Sequence, residues 1–307
     1  MNCVHRLQWS GGGYPGYGYN GDDYSWVAYA SKQGYPTFAF DRLGNGNSTL
    51  ANPISEVQCP AQAATIHEII KTIRGGPKQG SPLPRAFNKI ILIGCSLGSI
   101  IANSKFISLF LLLQDVAVLT LGSRTVVNAN YPNDVDATIL TGFSYQWVNV
   151  VPGFIATAEL LPVLGLPIGY LHANSESGAA FLLQYAPYYD TNFFHQDFLD
   201  RGTITVGEGV SGALGITVAP NYAKPVFVIT GQQDSVFCGT TGLEVSGPGN
   251  CGSGLSGMLA QTKRLYPNPK ANYTYYALHD SGHCWEHGNF AQLGFYESHK
   301  WMYEQGF

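Results

Sequence analysis

Three residues with the side chains of acyl-transfer chemistry follow one another along the chain. Ser96 lies within GCSLGS, Asp234 ends VFVITGQQD, and His283 ends YTYYALHDSGH. A serine alone is a poor nucleophile; it needs a base to take its proton and a carboxylate to orient that base. Ser96 stands between Gly94 and Gly98, directly after the apolar run IILI and directly before a helix-like pattern, LGSIIANSKFI. So sharp a strand-to-helix turn strains the residue at the bend, and flanking glycines remove side chains that would collide there. The hydroxyl is then presented at a helix N-terminus, where N–H groups and the helix dipole favour developing negative charge. The alternative for Ser96 is a tight turn with an idle serine. Against it, Asp234 and His283 each close a predicted strand, the sheet edge where sites form, and the order Ser, Asp, His suits a doubly wound hydrolase. Among competitors, Asp280 is read as a loop-capping residue, His279 as structural and His287 as a surface residue.

Regular elements must carry these three residues to one place. Strands are predicted over residues 35–41, 88–94, 134–144, 224–234 and 271–283, with helices within 57–76, after the elbow, and over 289–306. Strands alternating with helices predict a mostly parallel sheet. Between residues 144 and 223 the alternation stops. That span of about eighty residues far exceeds the dozen or so that a crossover needs. It is predicted as an inserted, mainly helical cap (144–223) on a core made of 1–143 and 224–307. Most of its apolar residues, Leu161, Leu164, Tyr170, Phe193 and Phe194 among them, are expected to pack the cap, and a few to face an apolar pocket. Trp147, Phe154 and Tyr185 are the candidate substrate contacts. Residues 106–121, FISLFLLLQDVAVLTL, are very apolar, but Gln114 and Asp115 interrupt them. The run is shorter than the about 20 residues a bilayer span needs, so a buried helix and an extra strand are expected, with no stable membrane insertion.

Composition narrows the function. Of 307 residues, 45% are hydrophobic and only 12% charged, with a net charge of −4. That leaves no nucleic-acid footprint. No C-x-x-C pair and no phosphate-binding G-x-x-x-x-G-K-[ST] loop occurs, so no metal and no cofactor are expected. Six cysteines are present. Cys238 and Cys251 bracket the glycine-rich CGTTGLEVSGPGNC and are expected to form a disulfide, while Cys95 and Cys284 are expected as buried thiols. Sequons begin at Asn47 and Asn272. Low charge, a disulfide and sequons suggest a secreted protein, although MNCVHRLQWSGGG has no leader-like apolar core.

GCSLGS, DRLGNGNS, TGQQD and HDSGHCW together resemble the α/β-hydrolase superfamily, specifically its serine hydrolases with a helical cap, over about residues 20–307. DRLGNGNS is similar to the D-x-x-G-x-G-x-S loop common there, and the Tyr-rich, Lys-poor composition resembles secreted fungal members. The resemblance implies an α/β fold, a doubly wound, mostly parallel sheet carrying an inserted helical cap. A serine at the elbow speaks against the haloalkane dehalogenase and epoxide hydrolase branches, which use aspartate. Two backbone N–H groups should form the oxyanion hole. Leu97 would supply one, and Arg6 or Leu7 the other, because CVHRLQW resembles the family's strand ending in His-Gly, with Arg6 in place of Gly. Almost nothing precedes that strand, and residues 106–121 lengthen a link. A gene model with a missing first exon and a retained intron would leave both traces; a transcript read spanning codons 100–130 without a gap would sink the second half.

The expected function is hydrolysis of a neutral, hydrophobic carboxylic ester or lactone, a small-molecule substrate. Ser96 attacks, His283 moves the proton and Asp234 orients the imidazole. Peptide cleavage or a lyase reaction on the same residues ranks lower. A peptidase holding a free N-terminus would want carboxylates in the cap, which offers only Glu159, Glu176, Asp190, Asp197 and Asp200. A binding protein that kept the fold and lost turnover is the rival from another class.

Overall fold

Strands that are apolar on both faces need cover on both faces. The computed structural model describes residues 2–6, 18–103, 127–146, 151–239, 251–252 and 257–307, the first of these as backbone. In chain order the elements are β1 (Asn2–Arg6), α1 (Trp26–Lys32), β2 (Thr37–Ala39), α2 (Cys59–Gly75), β3 (Ile91–Cys95), α3 (Leu97–Asn103), α4 (Val127–Asn130) and β4 (Ala137–Thr141). Then come α5 (Val151–Ala158), β5 (Leu160–Pro162), β6 (Tyr170–Ala173), α6 (Glu176–Leu183), α7 (Thr191–Leu199), β7 (Ile204–Thr205) and α8 (Val206–Ala213). The chain closes with β8 (Val226–Gly231), α9 (Met258–Thr262), β9 (Tyr273–Leu278) and α10 (Ala291–Glu304). Six strands form one sheet in the order β2-β1-β3-β4-β8-β9, every neighbouring pair parallel.

The period-two alternation of strand side chains divides the core into two layers. On one face Ile91, Ile93, Ile139 and Ile229 pack with Trp26, Phe295 and Trp301 from α1 and α10. On the other, Leu92, Leu140 and Val228 pack with Ile66, Ile70 and Ile73 of α2 and Ile100 and Ile101 of α3. Pro60 sits in the first turn of α2, where its missing N–H costs nothing. Gly76 ends that helix at φ 64, and a Cβ there would lie 2.7 Å from the Ala86 backbone nitrogen.

The segment predicted as mainly helical holds four helices and, beyond that expectation, pairs strands. Beside α5, α6, α7 and α8 it carries a three-stranded antiparallel sheet, β5-β6-β7. The cause is local. Pro162, Gly165, Pro167 and Gly169 bar a helix across residues 160–170, and the chain turns back instead, pairing Leu160 with Ala173 and Pro162 with Leu171. A buried brace ties this segment to the core. Arg42, from the DRLGNGNS loop, pairs with Glu208 on α8 and donates to the Thr203 carbonyl at 2.8 Å, while Gln62 donates to Glu208 at 2.9 Å. Removing one partner of such a pair leaves a buried charge, at a cost of about 3–5 kcal/mol. The buried helix and extra strand expected over 106–121 lie outside the described residues. Among those described, no helix is long and apolar enough to cross a membrane.

Cys238 and Cys251 are disulfide-bonded, with Cα atoms 5.3 Å apart, and Cys59, Cys95 and Cys284 are buried outside any bridge. The bridge joins residues separated by 13 positions in the chain, just after Asp234. Loop closure of this size contributes about 3 kcal/mol. Cys238→Ser should therefore lower the unfolding free energy by roughly that amount. Urea titration checks it, and non-reducing peptide maps of the native chain should recover the 238–251 pair.

Candidate active site

The elbow forms as the glycine pattern requires. β3 runs into α3 through Ser96, which holds φ +56, a left-handed conformation that costs a non-glycine residue energy. A Cβ on Gly94 would lie 2.6 Å from the Gly98 carbonyl oxygen, so a side chain there would block the approach of α3 to its own strand. The Ser96 N–H donates to the Thr141 carbonyl at 3.0 Å, and the Ser99 hydroxyl donates to the same oxygen at 2.8 Å. The end of β4 thus holds the bend. Leu97 opens α3, where the helix supplies no acceptor for its N–H. In the sheet register Arg6, at the end of β1, stands beside Cys95. Its backbone therefore ends next to the elbow; Leu7 lies outside the described residues.

Asp234 follows β8 and is fully buried. Its Oδ1 accepts from the backbone N–H groups of Val236 at 2.7 Å and Phe237 at 2.9 Å, and this fixes the plane of the carboxylate. Oδ2 lies 2.9 Å from His283 Nδ1, and His283 Nε2 lies 2.8 Å from Ser96 Oγ. With the carboxylate as acceptor, Nδ1 carries the ring proton, and Nε2 is left to accept from the serine hydroxyl. The imidazole is wedged between Phe237, whose ring stacks on it at 5.6 Å and 10°, and Gly142 at φ +51, where a Cβ would come within 2.8 Å of Cε1. Ser96 is 9% exposed and His283 is fully buried.

The segment after β4 also supports the histidine loop. The Cys284 N–H donates to the Leu183 carbonyl at 2.8 Å, and a Cβ on Gly282 would lie 2.6 Å from the Gln184 carbonyl carbon. The end of α6 therefore lies flat on the loop that carries His283. Beside it a cavity of about 390 Å³ is lined by Ala180, Phe181, Gln184, Tyr185, Tyr189 and Ser235, together with Ser177 and Ala186. Tyr185 is thus at a cavity next to the acid's loop. Trp147 lies outside the described residues, as does the Phe154 side chain. The remaining apolar residues of the segment divide. Leu164 is 97% exposed, whereas Tyr170, Leu182, Phe193 and Phe194 are buried in packing.

Two of the competitors are placed clearly. Asp280, at φ +49, pairs with its neighbour His279 at 3.1 Å in the open, away from His283 Nδ1. His287, expected at the surface, is instead 1% exposed. It lies under α7 with Gln184 Nε2 at 3.3 Å and Phe193 edge-on at 4.9 Å, because the turn after His283 folds beneath the inserted segment. Sequence reading also missed Thr141, Gly142, Phe237 and Glu286. Only Glu286, an acid three residues after His283, left any trace that could have been followed. Among the described residues no group of three or more His, Cys, Asp and Glu side chains is arranged to hold a metal ion.

No protein-family model and no curated protein sequence matches the chain. Solved structures do. A methylesterase, MES16, from Arabidopsis superposes with a TM-score of 0.57 at 13% identity, covering 99% of both chains. An alpha/beta hydrolase fold protein from Chitinophaga pinensis gives 0.53 at 13%, covering 98% of this chain and 89% of that one. A pyrethroid hydrolase from Sphingobium faniae JZ-2 gives 0.52 at 14%, covering 97% and 96%. With the parallel sheet and the elbow, these likenesses establish the α/β-hydrolase fold. Identities this low carry the fold alone, since one fold hosts many reactions.

Proposed function

We propose that the chain is a serine hydrolase of neutral, hydrophobic carboxylic esters or lactones, with residues 144–223 as its cap. The observation that carries this reading is the unbroken relay of Ser96 Oγ, His283 Nε2, His283 Nδ1 and Asp234 Oδ2, its two contacts at 2.8 and 2.9 Å. In the proposed cycle Ser96 Oγ attacks the substrate carbonyl carbon as Nε2 takes its proton. The Leu97 N–H, with the backbone at the end of β1, faces the oxyanion. Nε2 then returns the proton to the leaving alcohol. Water attacks the acyl-enzyme by the same route in reverse, and the acid is released. Asp234 holds the tautomer throughout and stabilises the imidazolium. The neighbours' names, a methylesterase and a pyrethroid hydrolase among them, are compatible with hydrolysis.

The cavity supports the substrate class. Its described lining consists of alanine, aromatic, serine and glutamine side chains, with no cation among them to hold a carboxylate or phosphate. Each buried methylene is worth about 0.8 kcal/mol, or roughly fourfold. kcat/KM for p-nitrophenyl esters should therefore rise about fourfold per added acyl methylene until the cavity is full. A series of increasing acyl length, run beside Ser96→Ala, measures this. Faster turnover of succinate monoesters than of neutral esters of equal length would remove the substrate class and leave the relay. We propose with it a secreted protein, and the support is that bridges such as Cys238–Cys251 persist in oxidising compartments. Secreted material with both thiols open to alkylation would count against that.

A further inference from the structure

His283 reaches its serine from the far side of the sheet. In the order β3-β4-β8-β9 its strand is the third from the elbow. At the spacing of adjacent strands the loop after β9 must cross about 14 Å. It passes over the ends of β8 and β4, and close approaches hold it there. Gly231, at the end of β8, lets the Gly282 carbonyl lie against its Cα. Gly142, just past β4, faces the His283 ring. Between them Thr141 joins both halves of the site. Its carbonyl holds the Ser96 N–H at 3.0 Å, and its hydroxyl donates at 2.8 Å to Oε1 of Glu286, on the turn three residues beyond His283. Glu286 is 5% exposed and Thr141 fully buried, so water does not compete for this bond.

We infer that Thr141 and Glu286 are positioning residues for the proposed acyl transfer: their hydrogen bond clamps the end of β4, which carries the nucleophile's N–H, to the loop that carries the base. The inference rests on the serine-hydrolase reading. The plainer role for the bond is to satisfy a buried carboxylate. In that case its loss would cost stability and leave the chemistry of each folded molecule untouched. In the clamp, its loss lets the elbow and the imidazole drift apart, and a misplacement of about 1 Å costs about a hundredfold in rate.

Time-resolved labelling with a fluorophosphonate separates the two roles, because it yields both the fraction of chains labelled and the rate constant of labelling. For Thr141→Val, which keeps the shape and removes the hydroxyl, the rate constant and kcat should fall together by roughly ten- to a hundredfold. KM should stay within about twofold and the labelled fraction near that of the unsubstituted chain. Glu286→Leu should act alike; should it fail to fold, Thr141→Val decides alone. Thr141→Ser, which restores the donor, should recover most of the rate. A rate constant unchanged in Thr141→Val, or a loss confined to the labelled fraction, overturns the inference while the serine-hydrolase reading stands. No labelling of the unsubstituted chain at Ser96 brings down both.

Discussion

Ser96→Ala should lower turnover of the best p-nitrophenyl ester by about a million-fold, the loss seen when a triad nucleophile is removed. Fluorophosphonate uptake should vanish with it. The fold should hardly notice. The elbow conformation is imposed by the Ser96 N–H on Thr141 and by the close fit of Gly94 to Gly98, and an alanine leaves both in place. The Ser96 hydroxyl contributes the 2.8 Å contact to His283, so thermal unfolding should move little. His283→Ala should cost a similar factor, and the double variant little more than either single one, because nucleophile and base act as one unit. A residual rate within about tenfold of the unsubstituted chain, or double-variant losses that multiply, would place the chemistry elsewhere.

How much of this was legible in the sequence follows from which contacts are local. The elbow could be read because strand, bend and helix are contiguous, and because the glycines answer a steric demand within five residues. β3, β4 and β8 could be read from their apolar runs, since a strand buried on both faces must be apolar throughout, and β9, a partly exposed edge strand, from its run of tyrosine and threonine, which favour strands. α1 was missed. Its stretch WVAYASK is short, and its start is marked only by Ser25, whose side chain accepts from the Ala28 N–H at 3.2 Å. The β5–β6 pairing was missed because the dense apolar composition of the segment masked the four breakers between Pro162 and Gly169. Thr141 and Gly142 could not be read. Each acts on a group brought to it by another strand, and the partner of Thr141 is 145 residues away in the chain. His287 was misplaced for the same reason, since its burial depends on α7, which no pattern near His287 announces.

Asp234→Asn should reduce kcat by about ten-thousand-fold, as loss of the correct tautomer does in other triads. Asp280→Asn should stay within about twofold, because an exposed pair such as Asp280–His279 contributes little. The first effect follows from how the carboxylate is held. The N–H groups of Val236 and Phe237 both point at Oδ1, so an asparagine must place its oxygen there to accept them. Its amide nitrogen is then forced into the position of Oδ2, 2.9 Å from His283 Nδ1. That nitrogen can only donate, so Nδ1 must accept, and the ring proton moves to Nε2. Nε2 now points an N–H at Ser96 Oγ across 2.8 Å and cannot take the serine's proton. Geometry is preserved and the base is lost, so Asp234→Asn should fold normally, keep its KM and label with fluorophosphonate very slowly. Asp280 can impose nothing of the kind, because its carboxylate faces His279 and solvent. Steady-state kinetics on the two variants side by side decide the assignment: the reverse ranking would make Asp280 the acid and leave the buried Asp234 a structural residue.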